Sequence, residues 1–311
     1  MIRETESMQN REPREISVEG LTPVAGGVHG TVYLYDEERI VKLYCPEISR
    51  EETEREQRLA RKAFIIGVPG AITFETVRCG NRYGIIYEKI RSDTLGHAIA
   101  SAPEKLEAYA ARYAELARKL HGIRTTDPLF PELKAELRRR LPLLGDFCTD
   151  SDLALLEDLI GCIPASDSLI HGDLHPGNVM IQDGELLLID MPDLMRGSPV
   201  WDLAAVYRDL VIGPMNPSPE LEKSIGMKAE LIARTGQAFF RAYTGLEGKA
   251  LEDRMQRLLP LYGMNTAFAL AGASDRNRDV CAAVIPMLMR EAVRKHEDSL
   301  RKTLAEYGKG A

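Results

Sequence analysis

Cysteine is scarce in this chain of 311 residues: five in all, Cys45, Cys79, Cys148, Cys162 and Cys281, set far apart. None forms a C-x-x-C pair or stands beside a histidine at metal-ligand spacing, which excludes a zinc ribbon or a dithiol redox motif. An odd, dispersed set implies free thiols in a reducing compartment. Long apolar runs are also missing. The least charged stretch, Leu258 to Ser274, is 17 residues long and is interrupted by Pro260, Gly263, Asn265 and Thr266. A bilayer span needs about 20 apolar residues, so this stretch reads as a buried helix. The first residues, MIRETESMQNREPRE, contain no apolar core and therefore no signal peptide. A cytoplasmic location is expected. There is no excess of basic charge: 47 acidic against 40 basic residues give a formal charge of −7. That balance argues against a nucleic-acid partner, although it leaves room for a local basic pocket. No internal repeat and no low-complexity tract is present.

What is there fits a soluble globular protein, with 44 % hydrophobic and 28 % charged residues. The length predicts two domains or lobes. After an expected loose arm over residues 1–14, the texture is β. Val32–Tyr35 and Ile40–Tyr44 read as a hairpin around Asp36-Glu37-Glu38. Gly26-Gly27-Val28-His29-Gly30 precedes it, three glycines that keep side chains away and permit positive φ. Ile48–Ile66 reads as a helix ended by Gly67, and Ala71–Val77 and Tyr83–Glu88 as two more strands. The pattern then turns helical. Leu106, Tyr109, Tyr113, Leu116 and Leu120 recur at helical spacing over Glu104–His121. Pro131–Leu141 and Ser151–Ile160 follow. A short β island comes next, at Ser168–Ile170, Val179–Gln182 and Leu186–Ile189. Beyond Trp201 helices are expected at Leu203–Val211, Pro219–Tyr243, Leu251–Ala271 and Val284–Ala305.

The chemistry concentrates in His171-Gly172-Asp173-Leu174-His175-Pro176-Gly177-Asn178, followed by an apolar hairpin and Asp190. Asp173 lies in a loop closed by Pro176-Gly177, a turn pair. Asn178 begins one strand and Asp190 ends its partner, so a tight hairpin returns Asp190 near Asn178. An amide and carboxylates of this kind suit Mg²⁺, which takes a few protein oxygens and completes its shell with phosphate and water. The remaining carboxylate is then available to orient a hydroxyl. Upstream, Lys42 alternates away from Val41 and Leu43 and needs an anionic partner. Glu56 is the carboxylate chosen for it, sharing a helix face with Leu59, Ala60 and Ala63, and Glu52 is the reserve. Gly26, Gly27 and Gly30 can present backbone N–H groups to phosphate.

This order of parts resembles the aminoglycoside phosphotransferase and choline kinase superfamily, whose fold is that of the protein kinases with their H-R-D-x-x-x-x-N loop. The likeness runs over about Leu21 to Ala271. It implies an α+β, bilobal, protein-kinase-like fold, with a small β-rich N-lobe at 15–90 and a larger, mainly helical C-lobe at 91–311. It implies a phosphotransferase using ATP or GTP and Mg²⁺ on a hydroxyl of a small molecule. In that scheme Lys42 and Glu56 serve the nucleotide phosphates. Backbone groups of Glu88 and Ile90 meet adenine at the hinge. Asp173 orients the acceptor and takes its proton, His175 contacts the γ-phosphate, and Asn178 and Asp190 hold the metal. Asp202 in Trp201-Asp202-Leu203-Ala204 either supports the loop from below or caps a helix.

Twelve positions separate Asp190 from Asp202, little room for a peptide-docking activation segment, and no A-P-E motif is present. Asp190-Met191-Pro192-Asp193 also departs from D-F-G. A small hydroxylated acceptor is therefore expected. The alternatives are a nucleotide-binding module without turnover and, further off, a protein kinase. His29 reads as a phosphate-side donor or a solvent-facing loop residue, and His121 chiefly as a helix C-terminal cation. Tyr207, Tyr243 and Asn265 line a pocket or pack a core, and Asp275–Asp279 reads as a solvated loop.

Overall fold

The computed structural model describes residues 12–27, 30–272 and 274–307. His29 and most of the expected N-terminal arm lie outside those residues. The chain divides into two compact units, Met1–Arg91 and Ser92–Ala311.

The first unit is built on a six-stranded sheet. Its strands are β1 (Arg14–Glu15), β2 (Pro23–Gly27), β3 (Gly30–Leu34), β4 (Arg39–Tyr44), β5 (Thr73–Cys79) and β6 (Arg82–Glu88), in the order β1-β5-β6-β4-β3-β2. Arg14, expected in the arm, is thus already part of a strand that runs parallel to β5. Period-two alternation divides the sheet into two faces. Val41, Val77 and Ile86 form a buried cluster with Ile16, Val18, Leu21, Tyr33 and Tyr35 packed against it. Lys42 pairs in register with Val32 and Ile85, so it projects from the opposite face.

The helix Arg50–Ile65 packs against β5 and β6 and buries Thr53, Leu59, Ala60 and Ala63. It starts at a capping box. The Ser49 hydroxyl accepts from Glu52 N–H while the Glu52 carboxylate accepts from Ser49 N–H. The glycines between β2 and β3 work differently from the expectation. Neither Gly26 nor Gly30 adopts a positive φ. A Cβ on Gly30 would lie 2.3 Å from the Leu43 carbonyl oxygen, so the residue is small because β3 and β4 approach closely there.

The second unit is mainly helical. The helices Leu106–Gly122 and Ala229–Thr244 pack together, and Val200–Tyr207 packs on Leu259–Gly272. Fully buried Tyr113, Phe239, Phe240 and Phe268 fill its core. Two small β pairs carry the loops of interest. Strand β7 (Leu169–Ile170) pairs with β10 (Met195–Arg196), and β8 (Val179–Gln182) pairs with β9 (Glu185–Leu188). The β8–β9 turn is Asp183-Gly184 with φ of 49° and 83°, the two-residue turn whose twist suits a hairpin.

All four helices expected after Trp201 are interrupted, and Leu203–Val211 is regular only to Tyr207, where a wide turn over Arg208–Ile212 takes over. Pro219–Tyr243 breaks at Gly226, which is left-handed at φ 80° and caps Pro219–Ile225. Leu251–Ala271 is two helices, Gly248–Gln256 and Leu259–Gly272. Val284–Ala305 is interrupted by a wide turn at Met289–Val293. The Asp275–Asp279 run lies in the helix Ser274–Leu288, with non-helical backbone at Asn277. Among the described residues, no helix is long and apolar enough to cross a membrane.

Candidate active site

In the first unit the structure brings Lys42 and Glu56 together, with Nζ 3.2 Å from Oε1. Both side chains are largely buried. Tyr87, on the same sheet face, donates its hydroxyl to the same Glu56 oxygen at 3.2 Å. Lys42 Nζ also lies 4.9 Å from the centroid of the Tyr44 ring, a cation–π contact. Glu52, the reserve carboxylate, is committed to the capping box instead. The S-x-x-E spelling of Ser49 to Glu52 was the signal that separates the two glutamates.

At the end of β6, Glu88 N–H donates to the Ile72 carbonyl at 2.9 Å. Glu88 Oε1 accepts from Ile72 N–H at 2.8 Å. The Glu88 N–H is therefore committed to Ile72. Ile90 follows two residues on, half-buried.

In the second unit the loop after β7 is held by one buried carboxylate. Asp202 accepts from His171 N–H at 2.7 Å and from Gly172 N–H at 2.8 Å. Its Oδ2 also lies 3.0 Å from His121 Nε2. His121 Nδ1 lies 2.8 Å from the Tyr243 hydroxyl. The helix holding Asp202 starts at Pro199 without a side-chain cap, so Asp202 supports the loop and is not an N-cap. His121 likewise serves this buried chain, not an exposed helix end. Burial pushes the Tyr243 hydroxyl well above its ordinary value, so it stays protonated as a donor to the ring.

His171 Nε2 lies 3.1 Å from the Ile189 carbonyl, and Nδ1 accepts from Asp173 N–H at 3.3 Å. These partners select the tautomer with its proton on Nε2. Gly172 has φ of 87°, and a Cβ there would meet Asp193 at 2.9 Å. Asp193 itself is held by Arg140 at 2.9 Å. The segment after Asp190 is thereby pinned, with Met191 and Leu194 buried beneath it.

Asp173 presents a carboxylate whose side chain is 46 % exposed yet densely surrounded. Its Oδ1 accepts from Arg208 Nη2 at 2.8 Å, and its Oδ2 from Asn178 Nδ2 at 3.2 Å. Its crowded setting disfavours the charge. The hydrogen bond from His175 and the charges of His175 and Arg208 outweigh that and hold the carboxyl well below the usual range.

His175 is buried, with Nδ1 accepting from Gly177 N–H at 3.1 Å and Nε2 3.5 Å from Asp173 Oδ2. Both ring nitrogens face the loop, and Nε2 is directed at Asp173. Burial opposes protonation of this ring, but Asp173 prevails and raises its pKa.

Asn178 donates through Nδ2 to the Asp173 carbonyl as well, at 2.9 Å. The amide nitrogen is thus spent on Asp173 and the amide oxygen faces the other way. Ile189 N–H donates to the Asn178 carbonyl at 3.0 Å, which brings the end of β9 beside Asn178. Asp190 comes next, exposed, at φ 56°, a left-handed conformation that a non-glycine residue adopts at a cost. An amide oxygen beside a carboxylate is a hard-oxygen donor pair that fits Mg²⁺. Among the described residues no three His, Cys, Asp or Glu side chains converge to hold a metal ion by themselves. A cation here would need phosphate oxygens to complete its shell.

Gly177 carries the neighbouring helix. A Cβ on it would lie 2.0 Å from the Ser224 carbonyl oxygen, and one on Gly96 would lie 1.7 Å from that of Ile225. The last carbonyls of Pro219–Ile225 therefore rest directly on two glycines. Tyr207 and Asn265 are buried, and Asn265 Oδ1 accepts from Arg208 Nη1 at 3.2 Å.

A family model described as the phosphotransferase enzyme family matches residues 20–248, well over half of the chain. The chain belongs to that family. Among solved structures, it is similar to aminoglycoside phosphotransferase APH(2'')-Ib in its ADP-bound form, at 18 % identity and a TM-score of 0.57, covering 93 % of this chain and 96 % of the other. A choline/ethanolamine kinase family protein from Mesorhizobium loti is similar at 19 % identity and a TM-score of 0.56, covering 93 % and 92 % of the two chains. The amicoumacin kinase hAmiN, in complex with AMP-PNP, Ca²⁺ and Ami, is similar at 19 % identity and a TM-score of 0.53, covering 98 % and 94 %. No curated protein matches the chain. At these identities the structural likeness establishes the fold, which is the α+β, bilobal, protein-kinase-like architecture expected from the motifs.

Proposed function

We propose that this family member is a small-molecule kinase that moves the γ-phosphate of ATP, with Mg²⁺, to a hydroxyl of its acceptor. The observation that carries the reading is the division of labour around Asp173. Asn178 gives its amide hydrogens to Asp173 and keeps its oxygen for a cation, with Asp190 next to it at the end of the hairpin. One carboxylate is left to meet a hydroxyl while another serves the metal.

In this reading Asn178 and Asp190 hold Mg²⁺, and the ion supplies charge neutralisation for the phosphates. Asp173 orients the acceptor hydroxyl and accepts its proton. Its low pKa makes it a weak base, suited to taking the proton late, as the oxygen–phosphorus bond forms. His175 and the Asp202–His121 chain keep the loop in one shape. In the first unit Lys42, steadied by Glu56 and Tyr87, pairs with nucleotide phosphates. Gly26, Gly27 and Gly30 allow backbone approach to them, and Glu88 and Ile90 supply the contacts for the base. Relatives of this fold have been seen with ADP and with AMP-PNP, which supports a nucleotide as donor.

A peptide acceptor is disfavoured by the segment between Asp190 and Asp202. It is short, it includes β10 and the buried Leu194, and Arg140 ties down Asp193. Little of it remains to dock a chain.

The test is phosphate transfer from ATP·Mg²⁺ to a panel of aminoglycosides, amino alcohols and sugars. With the acceptor that reacts, Asp173→Ala is expected to lower kcat by about 10²–10⁴, with nucleotide binding retained in a thermal-shift series. Asp190→Ala is expected to abolish the metal dependence. Parent-level turnover by both variants would overturn the reading. Nucleotide binding with no acceptor ever labelled would support a binding module instead.

A further inference from the structure

One guanidinium ties Asp173 to three other acceptor atoms. Arg208 Nη2 donates to Asp173 Oδ1 and to Asp209 Oδ2, each at 2.8 Å. Nε donates to Asp209 Oδ1 at 2.7 Å, and Nη1 to Asn265 Oδ1 at 3.2 Å. We propose that Arg208 is a positioning residue for phosphate transfer, braced by Asp209 and Asn265 so that the Asp173 carboxylate meets the acceptor hydroxyl in one orientation. The proposal rests on the reading of Asp173 given above.

Three observations carry it. The first is the backbone. Arg208 opens a wide helical turn, Arg208–Ile212, that interrupts the regular helix Val200–Tyr207. Adjacent residues on a regular helix point about 100° apart, at 3.6 residues per turn. Here the side chains of two neighbours meet in a two-pronged contact, so the irregular turn and the clamp belong together. Gly236 allows the turn to be held: a Cβ there would lie 2.6 Å from the Leu210 carbonyl oxygen.

The second is burial. The Arg208 and Asp209 side chains are 21 % and 12 % exposed. The guanidinium is planar and rigid, and two of its edges are already engaged before Asp173 meets it. The third is the division of Asp173 itself. Arg208 takes Oδ1 from one side, and Asn178 and His175 approach Oδ2 from the other. With its plane fixed, the carboxylate has one open direction for a hydroxyl, the orientation that makes transfer efficient.

The experiment compares Arg208→Lys, Arg208→Met and Asn265→Ala with the parent in phosphate transfer from ATP·Mg²⁺ to the acceptor panel, and in thermal unfolding. A lysine keeps the charge but has no fork to span Asp209 and Asp173 together. We expect kcat to fall more than tenfold in Arg208→Lys and further in Arg208→Met, with the KM for ATP within twofold of the parent. Asn265→Ala should fall less. Added guanidinium should restore part of the rate to Arg208→Ala and none to Asp173→Ala.

The second readout needs no turnover. In a cycle of Asp173→Asn and Arg208→Met, the double variant should melt several degrees away from the sum of the single shifts. A folded Arg208→Met with kcat within twofold of the parent would overturn the proposal, as would additive melting shifts. A parent that labels no acceptor would count against the role of Asp173, while the melting cycle would still decide the clamp.

Discussion

The β2–β3 hairpin and the loop from His171 to Asn178 are secured in opposite ways. In the hairpin, Pro23–Gly26 are exposed, every residue of β3 is only half-buried, and the ladder to β4 is what holds it. In the loop, His171, Leu174, His175, Pro176 and Asn178 are all buried, and side chains from distant helices take its backbone groups. Segments with little buried apolar surface open locally at low cost, and cross-braced ones open only with the rest of the unit. Under the proposed function the hairpin covers phosphates and has to let them in and out, whereas the loop aims a carboxylate and gains nothing by moving.

Removing the brace of the loop is the most severe way to break this contrast. Asp202→Ala strands two buried backbone donors and a histidine, and is expected to destabilise the second unit by about 3–5 kcal/mol. Denaturant unfolding would measure the loss. Hydrogen exchange should show lost protection at the His171 and Gly172 amides with the amides of β3 unchanged. Equal loss in both places would erase the distinction.

A smaller change is expected from Glu56→Gln, which leaves Lys42 without its carboxylate. A charge-assisted hydrogen bond is worth about 1.5–3 kcal/mol, so nucleotide affinity should fall about ten- to a hundredfold. The loop from His171 to Asn178, being braced independently, should keep its exchange protection. ATP·Mg²⁺ titration followed by calorimetry would show it, and unchanged affinity would remove Lys42–Glu56 from the nucleotide's account.

The smallest effect is confined to acid. Asp152 is held below its usual pKa: burial opposes its charge, but Thr149 and Arg294 more than offset it. A carboxyl lowered in the folded state adds stability above its unfolded pKa and loses it as pH falls through the folded value. The parent should therefore lose stability below about pH 4 more steeply than Asp152→Asn. Identical acid limbs in thermal melts would contradict the assignment. Neither Asp152 nor Arg294 is among the partners of the loop described above, so activity at neutral pH should not change.

The same contrast decides what was legible before any coordinates. His171 to Asn178 and Asp190 are legible because the proposed chemistry needs those residues within one short loop and one hairpin. Alternation around Val41 placed Lys42 on the correct sheet face, and helical spacing selected Glu56. The contacts that fix these groups are of another kind. Arg208 reaches Asp173 across 35 positions, and His121 reaches Asp202 across 81. No local pattern encodes such pairs. The only trace of the clamp is a charged Arg208-Asp209 pair inside an otherwise apolar run, and an unbroken helix was the natural reading there. Nothing local marks Tyr87, inside the expected strand Tyr83–Glu88, as a partner of Glu56, which lies on a helix earlier in the chain. Gly226 looked tolerable inside a helix until its left-handed backbone showed where Pro219–Ile225 stops.

Gly96 and Gly177 have a practical meaning for anyone remodelling this protein. The helix they support sits on bare backbone, with no side chain between that can be trimmed or repacked to absorb an error. A transplanted replacement for Pro219–Ile225 will fit only if it arrives at the same height, and a graft has to bring its two flat landing points along with it.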